Sequence, residues 1–228
     1  MARERGRLRV VVKVGTSTLT HDTGRLNLHN MERLSRTLSD LEGKGHEVVL
    51  VSSGAIGIGT AKMNLPERPT QLRMKQAVAA VGQCMMMHLY DKFFGEYNRV
   101  VAQILLTGED VDAPTRAEHL HNTFESLLEL GVIPVVNEND SVSSAEIETG
   151  QCKILGDNDT LSAMVARLCG ADLLVLLSDI DGLYDADPRK DPEAKLIHRV
   201  EAVTPELRAM AGGAGSWRGT GGMTTKLN

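Results

Sequence analysis

Three short stretches carry residue types suited to handling phosphate. Gly219-Thr220-Gly221-Gly222-Met223-Thr224-Thr225-Lys226 is a glycine-rich approach to a helix start. Successive backbone N–H groups and the positive end of a helix dipole make such a segment an anion cradle, and two threonine hydroxyls and a lysine add donors. As a bare pattern it also reads as a flexible glycine-rich linker. Lys13, in VVVKVG, ends an otherwise buried strand, where an unpaired ammonium is costly. Its partner is either a nearby carboxylate or a phosphate, and the position beside Gly15 favours phosphate. Gly156-Asp157-Asn158-Asp159 precedes an apolar helical pattern. One aspartate is explained as a helix cap. Two carboxylates and an amide exceed what a cap requires and point to orienting lysines or binding a ligand amine.

The common nucleotide motifs do not fit. No GxxxxGK[ST] occurs, and Gly57-Ile-Gly59-Thr-Ala-Lys62 lacks the third glycine of a dinucleotide fingerprint. The seven histidines include His88, His119 and His121 but form no HExxH pair, so no zinc site is expected. Asp179, Asp181, Asp185 and Asp187 imitate a calcium loop only loosely, because Gly182 is misplaced and the terminal glutamate spacing fails. Trp217 either covers a ligand or simply packs. Cys84, Cys152 and Cys169 are an odd number with no CxxC pair, which reads as reduced thiols in a cytoplasmic protein.

The elements that must position these residues alternate. LRVVVKV (8 to 14) is a buried strand running into the loop Gly15-Thr16-Ser17-Thr18. Leu28, Met31, Leu34, Leu38 and Leu41 mark a helix face that Asn27 caps and Gly43 and Gly45 end. Strands follow at 47 to 52, 99 to 106, 132 to 137 and 172 to 178, separated by helices over about 70 to 90, 116 to 130 and 159 to 169. Within the first of these, Cys84-Met85-Met86-Met87 reads as core or subunit interface. Strands apolar throughout need both faces covered, so the fold class is α/β, a three-layer αβα sandwich with a mainly parallel central sheet. ADPRKDPEAK (186 to 195) reads as a solvated loop.

In such sheets ligands bind beyond the carboxyl ends of the strands. There lie Gly15-Thr16-Ser17, Ser53-Gly54-Ala55, Asn137-Glu138-Asn139-Asp140 and Ser178-Asp179. Turn chemistry explains any one of these segments; four together are harder to dismiss. The 228 residues carry 25 Lys and Arg against 30 Asp and Glu, a net charge of −5 that disfavours nucleic-acid binding. No apolar run approaches the roughly 20 residues of a membrane span, and Lys13 and Gly15 interrupt any signal-peptide core. The expectation is a soluble cytoplasmic protein without nucleic-acid or membrane partners.

The segments Lys13–Thr20, Ser52–Gly57, Pro134–Asp140, Gly156–Asp159, Ser178-Asp179 with Gly182–Tyr184, and Gly219–Lys226, in this order, closely resemble those of the glutamate 5-kinases of the amino acid kinase superfamily. The last segment is close to a signature of that family among its relatives. The resemblance implies ATP- and Mg²⁺-dependent phosphorylation of the L-glutamate side-chain carboxylate to glutamyl 5-phosphate, the first step of proline biosynthesis. It assigns Lys13 and Lys226 to the transferring phosphoryl group and Asp159 to holding those lysines. Ser53, Gly54, Asp140 and Asn158 resemble the glutamate site, with Asn137 and Asp157 in support. Gly15, Ser178, Asp179 and Thr220, Gly221, Gly222, Met223, Thr224, Thr225 and Lys226, with Lys13, resemble the ATP site. A direct protein ligand to the metal is not implied.

That chemistry suits the residues. A side-chain carboxylate with a pKa near 4.3 is more than about 99% ionised at neutral pH, so no general base is needed. The barrier is repulsion between two anions, which cations and positioned donors lower. Between Glu146 and Gly156 the chain is longer than the family's usual link, in a region where the family binds glutamate and the feedback inhibitor proline. By the same resemblance the chain is an amino acid kinase domain over 1–228 that stops short at its carboxyl end, without the PUA domain of many members. A homo-oligomer and association with the following glutamyl-phosphate reductase are implied as well. The alternatives are a fragment that binds glutamate or proline without turnover and a kinase for a different carboxylate.

Overall fold

Alternate residues of the buried strands face opposite layers, and that alternation decides where each functional side chain points. In the computed structural model, which describes residues 6–21, 24–142, 158–210 and 223–227, five strands form one sheet. They are β1 (Arg9–Val14), β2 (Glu47–Ser52), β3 (Val101–Leu106), β4 (Ile133–Glu138) and β5 (Leu173–Leu177), in the order β3-β4-β2-β1-β5. All four neighbouring pairs run parallel. Val10, Val12 and Val14 pack with Leu50, Val135 and one helical layer; Val11 packs with Val49, Val51, Val136 and the other.

The first layer holds α2 (Leu28–Gly43), α3 (Ala55–Lys62) and α4 (Leu72–Gly95); the second holds α6 (Pro114–Glu129) and α7 (Asn158–Leu168). Short turns α1 (Thr16–Leu19) and α5 (Gly108–Asp112) follow β1 and β3, and β6 (Leu183–Tyr184) pairs antiparallel with β7 (Leu196–Ile197) around the loop predicted at 186 to 195. The last helices are α8 (Pro205–Met210) and α9 (Met223–Leu227). The predicted αβα sandwich is thus found, with each of the five predicted strands within two residues of its expected start; the β6–β7 pair was not predicted.

Local departures have physical causes. The expected loop at 15 to 18 is a single helical turn, closed by Leu19 N–H donating to the Gly15 carbonyl. In α2, Asn27 caps as expected, its Oδ1 accepting from Asn30 N–H at 3.0 Å. Leu28, however, is half exposed, and Ser35 and Ser39 occupy the buried stripe because their hydroxyls donate to carbonyls one turn back. The helix α3 escapes periodicity because its glycines serve another purpose. A Cβ on Gly59 would stand 1.8 Å from the Val78 carbonyl oxygen, and one on Gly82 1.8 Å from that of Ala55. Backbone meets backbone here, so Gly82→Ala is expected to force α3 and α4 apart and destabilise the fold by about 1–3 kcal/mol, more than the ~1 kcal/mol of helix propensity gained. Thermal unfolding of the variant checks this.

Buried charge occupies both ends of β1. At the amino end the Arg9 guanidinium bonds to Glu47, Glu125 and the Cys169 carbonyl. Burial opposes its charge, but the hydrogen bonds it donates to Glu125 and Glu47 outweigh that and raise its pKa. Lys13 occupies the carboxyl end.

Candidate active site

Lys13 shares the face of β1 with Val11, so its side chain runs into the layer of α7 rather than that of α4. It is only 7% exposed, and its ammonium lies 2.6 Å from Asp159 Oδ1. Its partner within the protein is therefore a carboxylate, one of the two partners that the sequence offered. Asp159 stands in the first turn of α7, where the helix dipole adds to the pull on its charge. Its other oxygen, Oδ2, accepts from Lys226 Nζ of α9 at 2.8 Å. Two ammonium groups thus sit on the two oxygens of one buried carboxylate, a triad of net charge +1. Burial pushes the Asp159 pKa upward, but the hydrogen bonds from Lys13 and Lys226 prevail and hold it below the ordinary carboxylate range. A cap would not need two lysines, and Asp159 bonds to both.

A Cβ placed on Gly15 would touch the Lys13 ammonium at 3.7 Å, so the glycine keeps backbone and cation close together. One step before Gly15, Val14 is paired with both Ser52 and Leu177. The register therefore aligns Ser53, Gly15 and Ser178 across the rim. Ser53 Oγ donates to the Val14 carbonyl at 3.1 Å and lies 3.4 Å from Thr16 Oγ1. Gly54 takes φ +105°, a left-handed conformation that opens α3 and that a side chain would strain.

Asn158 and Asn137 are joined directly. Asn158 Nδ2 donates to the Ser52 carbonyl at 2.8 Å and to Asn137 Oδ1 at 3.1 Å. Asn137, on the β4 face that carries Val135, in turn donates from Nδ2 to Gln83 Oε1 of α4 at 2.9 Å. Gln83 was missed in the sequence. The available signal was a polar residue in step with Ala79, Met86 and Tyr90 on the buried stripe of a helix, a position that demands a polar partner. Thr16 was named only within the rim segment Gly15-Thr16-Ser17 and not singled out, since a threonine in a turn is ordinary.

The other described residues of the prediction stand at the ends of β4, β5 and α9. Asp140 is half-buried in the turn after β4. Ser178 and exposed Asp179 follow β5, with Ser178 Oγ 3.4 Å from Asp179 Oδ1. Met223 is half-buried at the start of α9. Asp157, Thr220, Gly221, Gly222 and the long segment between Glu146 and Gly156 lie outside the described residues, as do the side chains of Thr224 and Thr225.

The arrangement can draw an anion toward two fixed cations beside an amide-lined, partly buried floor, which is what transfer of a phosphoryl group onto an anionic acceptor requires. Among the described residues no helix is long and apolar enough to cross a membrane.

Comparison with known proteins gives the same direction. Over 220 residues, 96% of the chain, it is 56% identical to a glutamate 5-kinase of Clostridium perfringens, covering 81% of that protein. It is 55% identical to a glutamate 5-kinase of Listeria innocua, covering 79% of it. The fold resembles that of a UMP kinase from Ureaplasma parvum, with a TM-score of 0.56 and 14% identity over 83% of this chain and 74% of that one. Residues 8–228 match the amino acid kinase family, and with the two bacterial relatives they establish that the chain belongs to the glutamate 5-kinase branch of that family.

Proposed function

We propose that the chain transfers the terminal phosphoryl group of ATP to the side-chain carboxylate of L-glutamate, giving L-glutamyl 5-phosphate for proline biosynthesis. The observation that carries this reading is the Lys13–Asp159–Lys226 triad. The acceptor is already an anion at neutral pH, so the site needs cations rather than a base. Lys13 and Lys226 would neutralise charge on the phosphoryl group in flight, and Asp159 would keep both ammonium groups fixed before the reaction. Ser53, Gly54, Asn137, Asp140, Asp157 and Asn158 form the glutamate side; Gly15, Ser178, Asp179 and the stretch from Thr220 to Lys226 form the nucleotide side.

Magnesium would arrive with ATP. Among the described residues no three His, Cys, Asp or Glu side chains converge to hold a cation, and magnesium commonly binds through phosphates and water. A cytoplasmic homo-oligomer, restrained by proline and working beside the reductase that consumes its labile product, completes the reading.

The test is ADP release from ATP, Mg²⁺ and L-glutamate, with hydroxylamine trapping the acyl phosphate. Hydroxamate that depends on glutamate is expected. A folded chain that forms hydroxamate with aspartate or acetylglutamate but not with glutamate overturns the choice of acceptor.

A further inference from the structure

Helix α4 is the longest of the described helices, at 24 residues, and it is uncharged on the side that faces away from the fold. Its inner face carries Val78, Gly82, Met86 and Tyr90, all buried. The opposite face carries Ala77, Ala80, Cys84 and His88, all exposed, whose spacing puts them on one stripe. Half-buried Val81 and Met87 flank it. From Gln76 to Tyr90 the helix contains no Asp, Glu, Lys or Arg. A solvated outer face is built differently: α2 turns Arg33, Arg36 and Asp40 outward. A helix without charge around its whole circumference belongs in a setting where it is covered on all sides, and none of the described helices is long and apolar enough to cross a membrane. The stretch Cys84–Met87, which the sequence left as core or subunit interface, therefore divides. Met86 is core, at 0% exposure, and Cys84 belongs to the outer stripe.

We propose that the outer face of α4 is an interface between two copies of this chain, which pack α4 against α4 in antiparallel fashion about a two-fold axis level with Gly82. Charge placement selects that partner. The stripe ends in exposed Arg73 toward the amino end of the helix and exposed Asp91 toward the carboxyl end, and Gly82 lies midway between them in sequence. An antiparallel copy about that point sets Arg73 beside the partner's Asp91, and Asp91 beside the partner's Arg73. A second copy has this complementarity by symmetry. The same axis opposes Ala80 to the partner's Cys84 and Ala77 to the partner's Met87, small against larger along the seam, which lets the helix axes come to the near end of the roughly 8–10 Å range. Behind the axis the Gly82 backbone is seated on α3, where a Cβ would stand 1.8 Å from the Ala55 carbonyl oxygen, so the face is carried on a rigid support. The inference gives a surface to the homo-oligomer of the proposed function and rests on that part of it alone.

The experiment is sedimentation velocity over a concentration series on the whole chain, for wild type, Ala80→Glu, Arg73→Asp, Asp91→Arg and the double variant Arg73→Asp with Asp91→Arg. A melting curve on each establishes that it folds. Wild type is expected to sediment as a dimer or an even multiple of one. Ala80→Glu puts a charge on each side of the seam and is expected to weaken association at least about a hundredfold. Each single reversal sets like charges side by side and weakens association about tenfold, and the double variant, with the signs exchanged, returns to within about threefold of wild type. A short bismaleimide is expected to join two copies through Cys84, and Cys84→Ser to abolish the product, Cys169 being buried.

A monomeric wild type leaves the face to a different protein and overturns the proposal together with the homo-oligomer, while the hydroxamate assay judges phosphoryl transfer separately. An oligomer that Ala80→Glu leaves intact, or that the reagent does not join through Cys84, uses another surface and overturns the proposal too. Single reversals that change nothing, or that the double variant does not rescue, overturn the antiparallel pairing and the proposal with it. If Ala80→Glu does not fold, rescue by the double variant and the Cys84 link decide, and failure of either overturns the proposal.

Discussion

Lys226→Ala is expected to lower glutamate-dependent turnover by about 10²–10³-fold while leaving the fold nearly as stable as before. Removing one preorganised donor to a developing charge has an effect of this size in other enzymes. Lys226 is the more accessible of the two lysines, 17% exposed at its side chain. Its loss leaves Asp159 paired with Lys13 at 2.6 Å, a neutral buried pair that remains hydrogen-bonded. What disappears is the net positive charge of the triad, and with it the counterweight to two approaching anions. Steady-state hydroxamate formation and a melting curve, measured together, separate the two effects. A turnover within about tenfold of wild type would remove Lys226 from the chemistry.

The converse holds for Asp159, whose largest effect falls on stability. Asp159→Ala leaves the Lys13 ammonium buried at 7% exposure without its carboxylate. Breaking a buried pair from one side destabilises by about 3–5 kcal/mol, and denaturant unfolding reads this directly. The pH dependence has a definite sign. The folded pKa of Asp159 is lowered by Lys13 and Lys226 against the opposing effect of burial, so between the folded and unfolded values the unfolded chain binds more protons and stability rises with pH. The contribution is complete above the ordinary aspartate pKa of about 4 and is lost as pH falls through the lower folded value. Wild type should therefore lose stability more steeply than Asp159→Asn as pH drops below about 4. Parallel acid titrations of the two proteins would show instead that the triad does not form in solution.

The two variants divide the triad by function. On the proposed function Asp159 would supply the structural half, holding like charges side by side before substrate arrives, and the lysines would supply the catalytic half. That division follows from placement. Asp159 is rooted in α7, which packs against β1 and β2, whereas Lys226 comes from the short α9. A half-buried cation can be removed with little damage; an anion at the heart of the core cannot.

Much of the molecule was legible before folding. Continuous β-branched strands such as VVVKV and EVVLVS, alternating with helical periods, dictated a parallel sheet covered on both sides, because apolar residues on both strand faces admit no other arrangement. The candidate site emerged from residue type: a lysine ending a buried strand is too costly to leave unpartnered, and two carboxylates with an amide opening a helix exceed what a cap requires.

The sequence by itself therefore determined the alternation of elements, the layers and the rim on which polar residues gather, since these depend on local periodicity. Only the tertiary structure decided which side chains meet. Lys13 met the Asp159 carboxylate because strand alternation turned it toward α7. Lys226 joined the same carboxylate from 67 residues away. Gln83, unremarked among apolar neighbours, became the anchor of an amide relay because α4 packs beneath Asn137, 54 residues distant. Periodicity records which face of an element is buried, but it carries no record of what lies opposite; that depends on register and on the close approach of backbones, as at Gly59 and Gly82.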